Sequence, residues 1–314
     1  MSTARKINPL AFYTEWAGHP VSDLVNVHST IQTERPGKPI VYLAGDSSLD
    51  NKAWVPSSGP GGEPLPAAVP DHYSAFLTSL KPKPDVAFWL NHFLGHNATA
   101  LNTAVEASLL RQRDATLLPH DEFIRDHIQP EDILIVSIGA NDIALSPTAS
   151  TMRHMFQLAW LTPLSSIERG TASSLAYFKH MFGDQTKNYI ARLIKKRKPR
   201  VCVVCMIYYP LKAGAGVQPS WADTQLKALG YGRYPGQLQA AIKKMYEQAT
   251  STINIEGTTV VPCPLFETMD GKTKEDYTAR VEPSVHGGEK MAAHLVRLLD
   301  GSLPSSDPTP VVGR

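Results

Sequence analysis

The sequence predicts a three-layer α/β domain on a parallel sheet of about five strands. Three observations carry that expectation. Short β-rich apolar runs alternate with helical patterns along the chain. The runs are apolar on both faces, as strands are when helices cover both sides of a sheet. The motifs with chemical content fall just after the runs, at the carboxyl ends where such sheets place their sites.

Taken in order, the first run is Pro39-Ile-Val-Tyr-Leu-Ala44, stopped by Gly45. Residues 55–70 are too rich in Pro, Gly and Ser to be helical, and Asp71 can cap a helix through Leu80. Residues 85–90 read as a strand or part of an excursion. A second strand near 98–102 feeds a helix through Arg113. The strongest strand is Asp132-Ile-Leu-Ile-Val-Ser-Ile138, bounded by Gly139, and helical patterns follow over 148–160 and 171–198. A continuous apolar strand spans 200–208 and stops at Pro210. Residues 211–236, rich in Gly, Tyr, Trp and Pro, read as an extended loop or lid. A helix over 237–252, a strand over 258–262 and a last helix over 283–299 complete the pattern. The expectation is a single domain over 1–303 with insertions near 55–70 and 211–236, and a disordered tail over 304–314.

Composition bounds the function. The chain has 314 residues, 42% apolar and 19% charged, with a net charge of +2. That is ordinary for a soluble globular protein. The one basic run, Lys195-Lys196-Arg197-Lys198, closes a helix, where cations suit the negative end of the dipole. Nucleic acid is not an implied partner. No apolar stretch reaches membrane-span length, and no charged-then-apolar leader opens the chain, so a cytoplasmic location is expected. Cys202 and Cys205 lie three apart on one strand, which puts them on opposite faces. With Cys263 they read as core residues rather than a metal or redox set. His92 and His96 have a metal-like spacing but sit among Phe88, Trp89 and Phe93, a packing neighbourhood, and no metal is expected.

Two motifs carry chemistry. Gly45-Asp46-Ser47 follows the first strand, where a tight strand-to-helix turn presents a serine hydroxyl at the sheet edge. Alone it reads as a helix cap. Gly139-Ala140-Asn141-Asp142 ends the strongest strand, and an asparagine there can aim amide donors at a developing negative charge. Alone it reads as an Asx turn. Together, Gly45-Asp46-Ser47-Ser48-Leu49 and Gly139-Ala140-Asn141-Asp142 resemble the first and third sequence blocks of the SGNH (GDSL-type) hydrolase family. Asn102-Thr-Ala104-Val-Glu-Ala107-Ser108 resembles the second block, and Tyr208-Tyr209-Pro210 also has the family's look. The resemblance covers roughly 39–293.

The resemblance implies a flavodoxin-like fold and a serine-dependent acyl ester hydrolase that needs no cofactor. It implies Ser47 as nucleophile, with an oxyanion hole made by the N–H of Ser47, the N–H of Ala104 and the side chain of Asn141. The last block departs from the pattern. The family has Asp-x-x-His before Pro-Ser, whereas this chain reads Ala279-Arg-Val-Glu282-Pro283-Ser284-Val285-His286-Gly287. Glu282 therefore stands where the family keeps its base, and Ala279 where it keeps the orienting acid. His286, four residues after Glu282, is the replacement base expected here, with Glu282 orienting it or serving as base itself. The expected partner is a small-molecule acyl ester. Two alternatives stay open: an acyltransferase using the same acyl-enzyme, and a fold that binds ligand without turnover.

Overall fold

In the computed structural model, which describes residues 5–59, 61–214 and 217–303, five strands form one parallel sheet. They are β1 (Ile40–Gly45), β2 (Thr99–Asn102), β3 (Ile133–Ser137), β4 (Val201–Met206) and β5 (Thr259–Pro264), in the order β2-β1-β3-β4-β5. The apolar runs at 39–44, 98–102, 132–138, 200–208 and 258–262 each form one of them. Alternate residues face opposite layers, as the two-residue strand period requires. Tyr42, Leu134, Val136 and Cys202 enter one core with Leu24, Val27, Phe123, Ile190 and Ile242. Val41, Leu43, Ile135 and Cys205 enter the other with Phe88, Met291, Ala292 and Leu295. Cys202 and Cys205 thus serve different cores.

The first layer holds α1 (Val21–Glu34), α3 (Pro119–His127), α6 (Thr186–Leu193) and α8 (Pro235–Gln248). The second holds α2 (Val86–Leu94) and α9 (Val285–Leu298). Two expectations are corrected here. Residues 86–94 form a helix, not a strand, opened by Asp85, whose carboxylate accepts from Phe88 N at 2.8 Å. The segment after β2 is mostly turns, with only a short helix at Gln112–Ala115. It is held by partners from elsewhere in the chain: Asp142 accepts from Leu110 N at 2.6 Å, and Ser108 Oγ donates to Gly45 O at 3.0 Å. The 211–236 segment contains a helix, α7 (Asp223–Ala228). Among the described residues no helix is long and apolar enough to cross a membrane.

From β1 the chain crosses to β2 on one side, and β3 flanks β1 on the other, so a crevice opens at the carboxyl ends of β1 and β3. Gly45 makes the turn into it. Its φ is +141°, and a Cβ there would fall 1.8 Å from the Ser137 carbonyl oxygen. Only glycine fits, because that oxygen belongs to the next strand and accepts from Asp46 N at 3.1 Å. Gly45→Ala is expected to destabilise the fold by about 4 kcal/mol or more. A chemical denaturation curve with an unchanged midpoint would contradict this.

Candidate active site

Ser47 sits on the turn just beyond Gly45, and its neighbours hold that turn. The Asp46 carboxylate accepts from Ser48 N at 3.1 Å and Ser48 Oγ at 2.8 Å. Ser137 shares a further bond with Ser48 Oγ at 2.7 Å. Burial pushes the Asp46 carboxyl up to about 6, against the opposing pull of its Ser48 bonds. None of these bonds uses the Ser47 hydroxyl. Its backbone N–H is also unengaged among the hydrogen bonds of the described residues.

Across the crevice, Gly139 turns the chain out of β3 into the short helix α4 (Ala140–Ala144), which carries Asn141. One amide hydrogen of Asn141 Nδ2 donates to Ser108 O at 3.2 Å. An amide nitrogen has two donors, so one remains for the crevice. Ala104 is placed differently from expectation. Its φ is outside the left-handed region, so alanine is unstrained there. Its N–H, however, donates to Asn102 Oδ1 at 3.1 Å. The neighbouring amides are engaged too: Thr103 N with Leu43 O, Val105 N with Gly45 O, and Glu106 N with Asp50 Oδ2. The 102–108 segment here buttresses the turn, and the N–H of Ser47 and one amide hydrogen of Asn141 Nδ2 are the donors left without a partner beside Ser47 among the described residues.

The last block forms a small hairpin, β6 (Tyr277–Thr278) against β7 (Glu282–Pro283). Ala279 and Arg280 turn it, both with positive φ (47° and 66°). Two successive left-handed residues match the twist of a tight hairpin, although Ala and Arg adopt that conformation at a cost. Arg280 anchors it, bonding Asp223 Oδ1 at 2.6 Å and Leu211 O at 3.1 Å. The hairpin aims Glu282, which is buried, at Ser47. The Glu282 Oε1 accepts from Trp221 Nε1 at 3.0 Å. Oε2 has no hydrogen-bond partner among the described residues. The Ser47 side chain lies close enough to pull the carboxyl's pKa down. Burial is the larger effect and pushes Glu282 up to about 7.

His286 does not join them. The helix α9 begins only after Pro283 and the N-cap Ser284, so Glu282 lies in a strand and the four-residue spacing does not place the two side chains on one face. His286 Nδ1 instead bonds Asp276 Oδ1 at 2.7 Å, with Lys290 on the other carboxylate oxygen at 2.6 Å. Its side chain is half-exposed and lines no wall of the Ser47 crevice. Ala279 stands in the hairpin turn and offers no acid.

One residue of this neighbourhood was not expected. Glu106 is buried, accepts from Trp54 Nε1 at 3.2 Å and is pushed up to about 9, first by burial and then by Glu282 and Asp50. The sequence signal for it was weak: an acid inside the second block.

Behind Ser47 runs a narrow cavity of about 90 Å³. Ser47, Asn141 and Glu282 stand at one end, and Ile143, Leu226, Leu229, Leu238, Ile242 and Met245 line its walls. A wider recess of about 400 Å³ lies beside the amino ends of the strands, among Arg35, His72, His92 and His96. There Arg35 spends its donors on Ala98 O, Gly95 O and Thr99 Oγ1 as a structural tie. His92 packs edge-on to Trp89 and Phe93, as expected from the sequence.

A scan against protein-family models gives no match, and a search of curated proteins gives none. Solved structures similar to this chain include a lipase/acylhydrolase from Enterococcus faecalis, at 14% identity and TM-score 0.44, covering 86% of this chain and 99% of that one. An acetylxylan esterase from Geobacillus stearothermophilus matches at 13% identity and TM-score 0.40, over 84% and 94% of the two chains. An extracellular lipase from Streptomyces rimosus matches at 12% and 0.40, over 85% and 100%. Superpositions this loose carry no chemistry across, and the fold assignment rests on the strand order itself.

Proposed function

We propose that this chain is a serine-dependent hydrolase of acyl esters, with Ser47 as nucleophile and Glu282, not His286, as its base. One observation carries the reading. A buried carboxylate oxygen of Glu282 with no other partner and the Ser47 hydroxyl line the same apolar cavity, near enough for the hydroxyl to pull the carboxyl's pKa down, beside two unengaged N–H donors.

In this mechanism the Glu282 carboxylate takes the Ser47 proton as Oγ bonds to the ester carbonyl carbon. Ser47 N–H and Asn141 Nδ2 hold the oxyanion. The protonated Glu282 returns its proton to the departing alkoxide, leaving an acyl-serine. Water, deprotonated by Glu282, then releases the acid and restores the serine. A free carboxyl is a weak base at its ordinary pKa, and burial supplies the difference by raising Glu282 to about 7. Trp221 fixes one oxygen and so aims the other. The acyl group lies in the apolar cavity, which favours an aliphatic chain over a sugar.

A panel of chromogenic esters of graded acyl length tests the activity. Turnover of aliphatic esters is expected, and none on any of them would overturn the reading in favour of a binding protein. Asn141→Ala is expected to lower kcat by about 10²–10³-fold with little change in KM. A change confined to KM would make Asn141 a substrate-binding residue instead.

A further inference from the structure

The walls of the cavity have an outer face. The helix α5 (Ala149–Phe156) and the π-helical turn Gln157–Leu161 carry Met152, Phe156 and Trp160 at four-residue intervals. Their exposures are 53%, 56% and 49%, and Leu161 reaches 66%. Tyr234 is also half-exposed, and Leu145 at the end of α4 is exposed beside the cavity-lining Ile143 and Ala144. Single exposed apolar residues are ordinary, whereas a contiguous ridge is not.

The ridge is held in place. Trp160 Nε1 donates to Ala228 O at 2.7 Å, and its ring lies against Gly230. Gln237 Nε2 donates to Leu158 O at 2.8 Å and Thr162 O at 2.6 Å, tying the turn to α8. The large apolar groups therefore stay presented to solvent. Arg153, Lys227 and Arg233 are exposed along these segments, and the chain has no acidic residue from Ala144 to Ile167; the exposed Glu168 follows, and Asp223 on α7 is paired with Arg280. Arg233 lies over the Tyr234 ring at 5.2 Å.

We propose that this ridge seats on an anionic lipid surface. Apolar side chains with Trp and Tyr at a rigid edge, beside the exposed Arg153, Lys227 and Arg233, match the chemistry of an anionic bilayer interface. The ridge also shares two walls with the cavity. The helix α4 contributes Ile143 inside and ends on Leu145 outside, and α7 contributes Leu226 inside while its Ala228 carbonyl holds Trp160. An ester lying in the lipid thus reaches Ser47 with its acyl chain spending little time in water. The docking stands by itself, while this delivery rests on the cavity's being the acyl site.

The test uses the full chain with vesicles of phosphatidylcholine alone and of phosphatidylcholine and phosphatidylglycerol in equal parts. Cosedimentation is expected with the mixed vesicles, weakening as salt is added. Met152→Ser with Phe156→Ser should weaken binding by about tenfold or more. The same double variant should turn over a short soluble ester like wild type, and Ser47→Ala should bind vesicles undiminished. Those two controls separate docking from catalysis. Absence of wild-type binding, or equal binding by the double variant, would overturn the proposal. So would a concentration-dependent dimer in sedimentation velocity that the double variant abolishes, which would assign the ridge to a second copy. Equal wild-type rates on vesicle-borne and soluble esters would overturn the delivery alone.

Discussion

Replacing Ser47 by alanine is expected to abolish ester turnover and leave the fold intact. The two halves of that result have separate causes. The turn is held by Gly45, by the Asp46 carboxylate and by the Ser48–Ser137 bond, none of which uses the Ser47 hydroxyl. Stability should therefore change by less than about 1 kcal/mol. Ser48, the other serine lining the cavity, is committed to Asp46 and Ser137, and removing the nucleophile from a comparable catalytic unit costs on the order of 10⁶ in kcat. Thermal melts and ester assays on the same preparation separate the effects. Retained activity would remove Ser47 from the mechanism, and lost activity with a collapsed melt would make it structural.

Glu282→Gln should cost nearly as much, since the amide keeps the Trp221 bond and the shape but cannot take a proton. In wild type only the ionised carboxylate is a base. With its pKa pushed up to about 7, kcat/KM should rise with pH through that value. Stability should move the other way. A carboxyl whose pKa is raised on folding stabilises the fold while protonated, and the contribution is lost as pH climbs from its ordinary 4.5 through about 7. Glu282→Gln should remove the pH limb of the rate and flatten that fall in stability together. A merely structural role would change the melt and leave the limb. His286→Ala should leave both near wild type, because its partners are Asp276 and solvent. A severe loss there would restore histidine as the base.

How far the sequence alone reached follows from where each signal resides. Strands β1 to β4 were legible because both faces of each are covered, leaving unbroken apolar runs between glycines and prolines, and β5 was legible from its β-branched run although it is partly exposed at the sheet edge. The same logic misled at 86–94. Val86 to Asn91 are all buried, so the helix shows no polar face to reveal its period, and only the Asp85 cap marks it. The turns after β2 were illegible because their determinants are distant, in Asp142 and Gly45. Within the candidate site, Ser47 and Asn141 could be named because each follows a strand. Glu282 was legible as the residue in the base's place. The sequence could not show that Pro283 and Ser284 delay the helix, so His286 turns to Asp276. Nor could it show that Asn102 engages the Ala104 N–H, or that burial pushes the Glu282 carboxyl up to about 7.

Activation of Ser47 by Glu282 is the proposal on which this chemistry turns. Its most direct measurement is the rate at which a fluorophosphonate labels Ser47, followed by intact-protein mass spectrometry across pH. No acyl substrate is involved, so chain length and alcohol play no part. Wild type should gain one adduct, on Ser47, at a rate rising through about pH 7. His286→Ala should follow the same curve, and Glu282→Gln should label slowly at every pH. An unlabelled wild type, or a Glu282→Gln variant that keeps the wild-type rate and its pH dependence, would contradict the claim.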